Sequence, residues 1–248
     1  PHVVVGRDSR PSGPMIESAV VAGLVAAGCR VTRVGIVTTP GVGIMVEHLE
    51  ADGGIVITAS HNPIEWNGIK TLRHDGVAPS ADQAAGIVSA FRDGRVEYAG
   101  VDDLQSISDD ATAHDVHVRR VLDAIGDVEP IRKRDLKVVV DSVHGAGGAE
   151  TAGLLEAVGV ECVHLYAEPT GRFPHTPEPT RENLTGLCKA VREHGADIGF
   201  AQDPDADRLA IVDEQGRYIG EEYTLALAAM HVLEREAAGG SSDRANEG

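Results

Sequence analysis

Residues 30–58 read RVTRVGIVTTPGVGIMVEHLEADGGIVIT, and the order of apolar runs within them decides the fold class. Residues 30–36 and 54–58 are apolar runs of strand length, and residues 41–49 between them carry apolar side chains at helical spacing. Strand, helix, strand is the unit of a parallel sheet with helices on its faces. The alternation extends to both sides. Val3, Val4 and Val5 form a short buried strand ending at Gly6, and residues 15–27 read as a helix closing on Gly28. Ser80, with Gln83 three residues later, is a capping-box pattern ahead of a helix carrying Ile87, Val88 and Phe91.

Residues 101–115 (VDDLQSISDDATAHD) hold five aspartates and no Lys or Arg, which marks a connection between domains. The alternation then restarts, with helices expected near 116–125, 149–158 and 182–194 and strands at 136–140, 161–165 and 197–201. Residues 209–212 and 217–219 read as a hairpin, and a last helix is expected over 221–237. The expected fold is α/β: two consecutive three-layer α/β/α domains with mostly parallel mixed sheets, spanning 1–110 and 111–238. The GGSSDRANEG end, 239–248, reads as a flexible tail or linker.

At 248 residues and 42% hydrophobic, the chain is long enough for two domains and apolar enough to bury their cores. Its 22 basic and 39 acidic side chains give a net charge of −17. With no Lys/Arg run longer than Arg132–Arg134, that balance excludes nucleic acid as a partner. No stretch approaches a membrane span and no secretory leader is visible, so neither a membrane association nor export is expected. Cys29, Cys162 and Cys188 are too scattered for a disulfide framework, which points to a reduced, cytoplasmic setting.

Three clusters stand at expected strand ends. Asp203, Asp205 and Asp207 place carboxylates at i, i+2 and i+4 of DPDADR. Such groups repel one another unless something positive sits among them, and a hard divalent cation with oxygen ligands meets that demand. A solvated acidic turn is the competing reading. An EF-hand is rejected, because Arg208 occupies the position where the loop needs Gly and the flanks read as strands. Ser60 in TASHNP offers a hydroxyl in a fixed, exposed turn, or else Ser60 or Asn62 merely caps that turn. Arg7 and Arg10 of GRDSR precede a helix N-terminus and suit a phosphate group; a salt-bridge cluster with Asp8 is the alternative. The run Gly145, Ala146, Gly147, Gly148 fails as a dinucleotide fingerprint, since Glu150 stands at its third glycine position, and reads as a tight strand-to-helix turn.

GRDSR (residues 6–10), TASHNP (58–63), NGIK (67–70) and DPDADR (203–208), in this order, resemble the α-D-phosphohexomutase family, as do IRKRDLKVVVDSVHGAG and GRYIGEE further along. That family includes phosphoglucomutases, phosphomannomutases and phosphoglucosamine mutases. The resemblance implies interconversion of hexose 1-phosphate and hexose 6-phosphate through a phosphoserine at Ser60, with hexose 1,6-bisphosphate as intermediate and activator. It implies Mg²⁺ held by Asp203, Asp205, Asp207 and an oxygen of the phosphorylated Ser60. Lys70 matches the family's proton-transfer lysine and Arg208 an arginine that positions the reacting groups. His61 sits beside the nucleophile, while Arg7, Arg10 and Asn62 fall on segments that contact phosphate.

The family fold has four domains. The chain is expected to hold the first two, the first without its upstream segment, and to lack the third and fourth domains with their sugar- and phosphate-clamping loops. Two other readings stay open: a serine-phosphorylated sugar phosphatase, and a non-catalytic sugar-phosphate binding module. Neither the sugar nor the oligomeric state follows from the sequence.

Overall fold

The computed structural model describes residues 1–243. Three strands form where the apolar runs lie: β1 (His2–Arg7), β2 (Arg30–Ile36) and β3 (Gly53–Ile57), joined through helices α1 (Gly13–Ala26) and α2 (Thr39–His48). β1 lies between β2 and β3 and pairs parallel with both. Beyond β3, β4 (Ile69–Arg73) turns back antiparallel, setting Lys70 opposite Val56. α3 (Ala81–Arg92) follows, and its capping box is formed: Ser80 Oγ accepts from the Gln83 amide while the Gln83 side chain accepts from that of Ser80.

The acidic segment is more than a connection. Within it β5 (Ile107–Asp109) pairs parallel with β2 and completes a five-stranded sheet of order β4-β3-β1-β2-β5. The edge strands β4 and β5 lie outside the sequence expectation. β4 has only two apolar residues, Ile69 and Leu72, and β5 is three residues among aspartates, so neither carries a period that could be read.

The second domain begins with α4 (Ala113–Ile125) and a short helix α5 (Glu129–Arg132). It continues as β6 (Lys137–Asp141), α6 (Gly148–Ala157), β7 (Glu161–Leu165), α7 (Thr185–His194) and β8 (Ile198–Gln202). The hairpin β9 (Leu209–Asp213) and β10 (Tyr218–Gly220) then closes a sheet of order β10-β9-β8-β6-β7, parallel from β8 to β7 and antiparallel across the hairpin. α8 (Glu222–Asp243) runs further than expected, so residues 239–243 of the segment read as a tail continue the helix. Residues 244–248 of that segment lie outside the described residues.

Alternation along the strands builds a core on each face of the first sheet. Val4, Val56, Val42, Met45 and Val46 pack on the α2 face, whereas Val5, Val31, Ile57 and Val21 pack on the α1 face. In the second sheet Val139, Ala201 and Val212 pack under Leu187, Ala190 and Val191 of α7. Each fully buried Val or Leu contributes about 1.5–3 kcal/mol by leaving water. α4 packs against α2 on one side and α6 on the other, so it stands between the two domains. With this packing the C-terminal ends of β1, β3 and β8, where α/β sheets bind ligands, open on one cleft.

Candidate active site

Ser60 follows β3 on the first domain and Asp203 follows β8 on the second. They are 143 positions apart, yet Ser60 Oγ donates a hydrogen bond to Asp203 Oδ2 at 2.7 Å. Ser60 has φ of +50°, a left-handed conformation that costs a non-glycine residue roughly 1–3 kcal/mol. The surroundings enforce it. The Ser60 amide donates to Thr58 Oγ1 at 2.9 Å, and that hydroxyl donates in turn to Asp8 Oδ2 at 2.8 Å.

Arg10 holds the rest of the loop. Its guanidinium is wholly buried and uses all five donors: Nε on Asp8 Oδ2 (2.9 Å), Nη1 on the carbonyls of Pro63 (2.6 Å) and Trp66 (3.1 Å), Nη2 on those of Ser60 (2.6 Å) and Asn62 (2.7 Å). No donor is left for a phosphate, so the expectation of phosphate contact is corrected: Arg10 is a brace for the Ser60 turn. Arg7 is likewise turned away, its Nε on Glu17 at 3.2 Å and its Nη1 on the Asp8 carbonyl at 3.2 Å. The Asn62 amide donates to the Ala59 carbonyl at 2.8 Å and closes the turn, which is the capping role weighed for it. His61 lies beside Ser60, with Nδ1 3.4 Å from Ser60 Oγ.

The three aspartates converge. One carboxylate oxygen from each of Asp203, Asp205 and Asp207 lies within 4.8 Å of the others. Asp203 and Asp205 are wholly buried. Lys70, delivered by β4, donates to Asp205 Oδ2 at 2.7 Å and Asp207 Oδ2 at 2.8 Å, and Thr39 Oγ1 donates to Asp205 Oδ2 at 2.6 Å. Gly145 shapes the loop from behind: a Cβ there would sit 2.7 Å from the Pro204 carbonyl, whose oxygen accepts from the Ala146 amide at 2.8 Å. The glycine run therefore serves as the tight turn it was read to be. Arg208 donates from its backbone to Asp203 Oδ1 at 3.1 Å and extends its guanidinium to within 3.7 Å of Glu221.

Burial, then the charges of Asp205 and Asp207, push the Asp203 carboxyl up to about 8, so it keeps a proton at neutral pH. Burial also acts to raise Asp205, but Lys70 and the hydrogen bond from Thr39 outweigh it and hold that carboxyl below its ordinary value. Burial opposes charge on Lys70, and the two carboxylates carry its ammonium above the usual range regardless. One proton and one ammonium thus compensate three carboxylates. Asp205 Oδ1 is buried with no hydrogen-bond partner. An all-oxygen donor set, two units of compensating positive charge and a buried carboxylate oxygen without a partner among the described residues fit a hard divalent cation.

The site also uses Thr39, which lies in none of the motifs, and gives Thr58 of TASHNP and Glu221 of GRYIGEE contacts that the motifs did not assign. Thr39 and Thr58 hold the aspartate loop and the serine turn, and Glu221 faces Arg208. Thr39–Asp205, Thr58–Asp8 and Glu221–Arg208 are 166, 50 and 13 positions apart, and folding brings them together.

Comparison with known proteins decides the family. The sequence profile of "Phosphoglucomutase/phosphomannomutase, alpha/beta/alpha domain I" matches residues 1–97, and that of domain II matches residues 115–216. The chain belongs to the phosphoglucomutase/phosphomannomutase family. A "Probable phosphoglucosamine mutase" of Methanopyrus kandleri is 41% identical over 238 residues, covering 96% of this chain and 52% of that protein. A "Phosphoglucomutase/phosphomannomutase" of Thermococcus kodakarensis is 43% identical over 244 residues, covering 97% of this chain and 52% of that protein. The crystal structure of a phosphoglucomutase/phosphomannomutase family protein from Burkholderia thailandensis superposes with a TM-score of 0.81 at 35% identity, over 95% of this chain and 51% of that one. The chain thus spans about half the length of these relatives. Among the described residues no helix is long and apolar enough to cross a membrane.

Proposed function

We propose that the chain carries the phosphoserine and metal halves of a phosphohexomutase that interconverts hexose 1-phosphate and hexose 6-phosphate, as an intramolecular phosphotransferase of the isomerase class. The observation that carries this reading is the 2.7 Å contact between Ser60 Oγ of one domain and the aspartate cluster of the other. A serine held in a strained turn against three carboxylates has no simple structural use, whereas a phosphoserine there would share a cation with them.

In this reading Asp203, Asp205 and Asp207 would hold Mg²⁺ together with a Ser60 phosphoryl oxygen. The ion would supply neutralisation of the charge on the transferring group. Arg10, Asp8 and Thr58 fix the direction of Ser60. The phosphoryl group passes from Ser60 Oγ to a hydroxyl of the bound hexose monophosphate: the P–Oγ bond breaks, a P–O bond to the sugar forms, and Ser60 Oγ takes a proton. The resulting hexose 1,6-bisphosphate turns over and returns its other phosphoryl group to Ser60, so the same bisphosphate acts as activator. Lys70 stands where it can hold or move the hydroxyl proton, and Arg208 where it can orient the sugar or its phosphate. The third and fourth domains of the family fold would complete the substrate clamp. The cysteines Cys29, Cys162 and Cys188 are free thiols, which supports a reducing, cytoplasmic compartment.

The test is an assay of the full-length protein with glucosamine, mannose and glucose 1-phosphates, each with and without a catalytic amount of the matching bisphosphate. Isomerisation that depends on the bisphosphate supports the mutase. Release of inorganic phosphate instead supports the phosphatase, and neither activity with intact ligand binding supports the binding module.

The metal half has its own expected result. At pH 7 calorimetric titration with Mg²⁺ should release about one proton, from Asp203, because a bound cation favours the charged carboxylate; by about pH 9.5 the release should vanish. Comparing buffers of different ionisation enthalpy measures it. Asp205→Asn should weaken binding by at least about tenfold, since one of three charged ligands is lost. Unchanged affinity in that variant would remove Asp205 from the ligand set.

A further inference from the structure

The meeting of the two domains depends on a carboxylate outside the aspartate cluster. Glu150, in the first turn of α6, has 7% of its surface exposed and, among the described residues, no Lys or Arg partner. A buried carboxylate is costly unless it is hydrogen-bonded; Thr38 and His114 supply those bonds, and the His117 ring packs against the group. Thr38 Oγ1, at the N-cap of α2, lies 3.1 and 3.2 Å from the two Glu150 oxygens. From α4, His117 Nδ1 lies against Oε1 and His114 Nδ1 is 3.4 Å from Oε2. The two rings reach different oxygens of one carboxylate. Among the described residues, Asp203, Asp205 and Asp207 are the group that brings three ligand atoms within 4.8 Å of one another, and the His114–His117–Glu150 clamp lies apart from it at the domain contact.

The clamp sits one residue from the active site. Thr38 caps α2 by accepting from the Gly41 amide at 3.0 Å. Its neighbour Thr39 donates from its backbone amide to the Asp205 carbonyl at 2.9 Å and from Oγ1 to Asp205 Oδ2 at 2.6 Å. One two-residue turn of the first domain is therefore gripped by Glu150 on one side and grips the metal loop on the other. The sequence accommodates this crowding. A Cβ on Gly41 would come within 2.9 Å of Thr38 Oγ1 and 3.5 Å of His117 Nδ1.

We propose that Glu150 is a positioning residue: held by His114, His117 and Thr38, it fixes the Thr38–Thr39 turn and, through Thr39, the placement of Asp205 against the Ser60 loop. Its consequence for phosphoryl transfer rests on the mutase reading; the contact itself does not.

Hydrogen exchange read by mass spectrometry on peptides spanning Thr39 and β6 tests it. In Glu150→Ala the Thr39 amide should exchange about tenfold faster, while the amides of Val138, Val139 and Val140 in β6 keep their protection. Glu150→Gln retains an acceptor oxygen for Thr38 and should restore Thr39 to within about threefold of the unaltered protein. Mg²⁺ affinity should follow the same order. If Glu150→Ala does not fold, Thr38→Val cuts the same link from the other domain and must show the same selective loss at Thr39. Unchanged Thr39 exchange overturns the proposal. So does equal acceleration at Thr39 and in β6, or a Gln variant no better than Ala. If the unaltered protein fails to bind Mg²⁺, the mutase reading fails, and the exchange comparison still decides the clamp.

Discussion

Ser60→Ala in the full-length protein should reduce bisphosphate-primed isomerisation to the uncatalysed background while leaving Mg²⁺ affinity within about threefold, since the three aspartates remain. The neighbouring hydroxyls are held elsewhere, Thr39 Oγ1 donating to Asp205 Oδ2 at 2.6 Å. Thr58 Oγ1 is committed to Asp8 and to the Ser60 amide. Ser9 Oγ donates to the His144 carbonyl at 2.8 Å. The turn at φ +50° presents position 60, and no other side chain of the loop, to the aspartates. A coupled assay of hexose 6-phosphate formation measures the loss. Retention of more than about one hundredth of the rate would mean that the reaction does not pass through a serine-bound phosphoryl group.

The second large effect concerns the fold. Arg10→Ala should cost about 3–5 kcal/mol, the range for removing one partner of a buried ion pair. The loss leaves Asp8 buried without its counter-ion and four carbonyls of the Ser60 turn without their donor. Against a stability of about 5–15 kcal/mol for a domain, that is enough to lower the urea midpoint sharply and to release the turn. Arg10→Lys should recover little, because an ammonium has three donors on one atom and cannot span carbonyls on both sides of the loop. A midpoint within about 0.5 kcal/mol of the unaltered protein would show that the brace is dispensable.

These two residues mark the boundary of what the sequence discloses. The local pattern around Ser60 left a turn cap and an exposed hydroxyl both open, and the phosphoserine role came only with the family resemblance. The spacing of the aspartate triad likewise left a solvated acidic turn beside a cation site, and folding is what brings the three carboxylates together. Arg10 was misread. An arginine ahead of a helix suits a phosphate, and its five carbonyl and carboxylate partners lie at positions 8 and 60 to 66, which no local pattern connects. The Thr39–Asp205 and Thr38–Glu150 contacts were invisible on the same grounds, being set by domain packing.

The fold divides similarly. Central strands such as β1 and β6 are buried on both faces and so appear as continuous apolar runs. The edge strands β4 and β5 have one free side and no such run, and β5 was absorbed into the acidic connection. The charge of −17 takes on a local meaning as well. Asp203, Asp205 and Asp207 concentrate part of it in one cluster, where Lys70 and the proton on Asp203 offset it.

The most direct test of the central claim is peptide mapping of the full-length protein after incubation with a hexose 1,6-bisphosphate and Mg²⁺. One phosphoryl group on the peptide containing Ser60, at Ser60 itself, is the expected result. An unmodified Ser60, or phosphate on any other residue, would contradict the account.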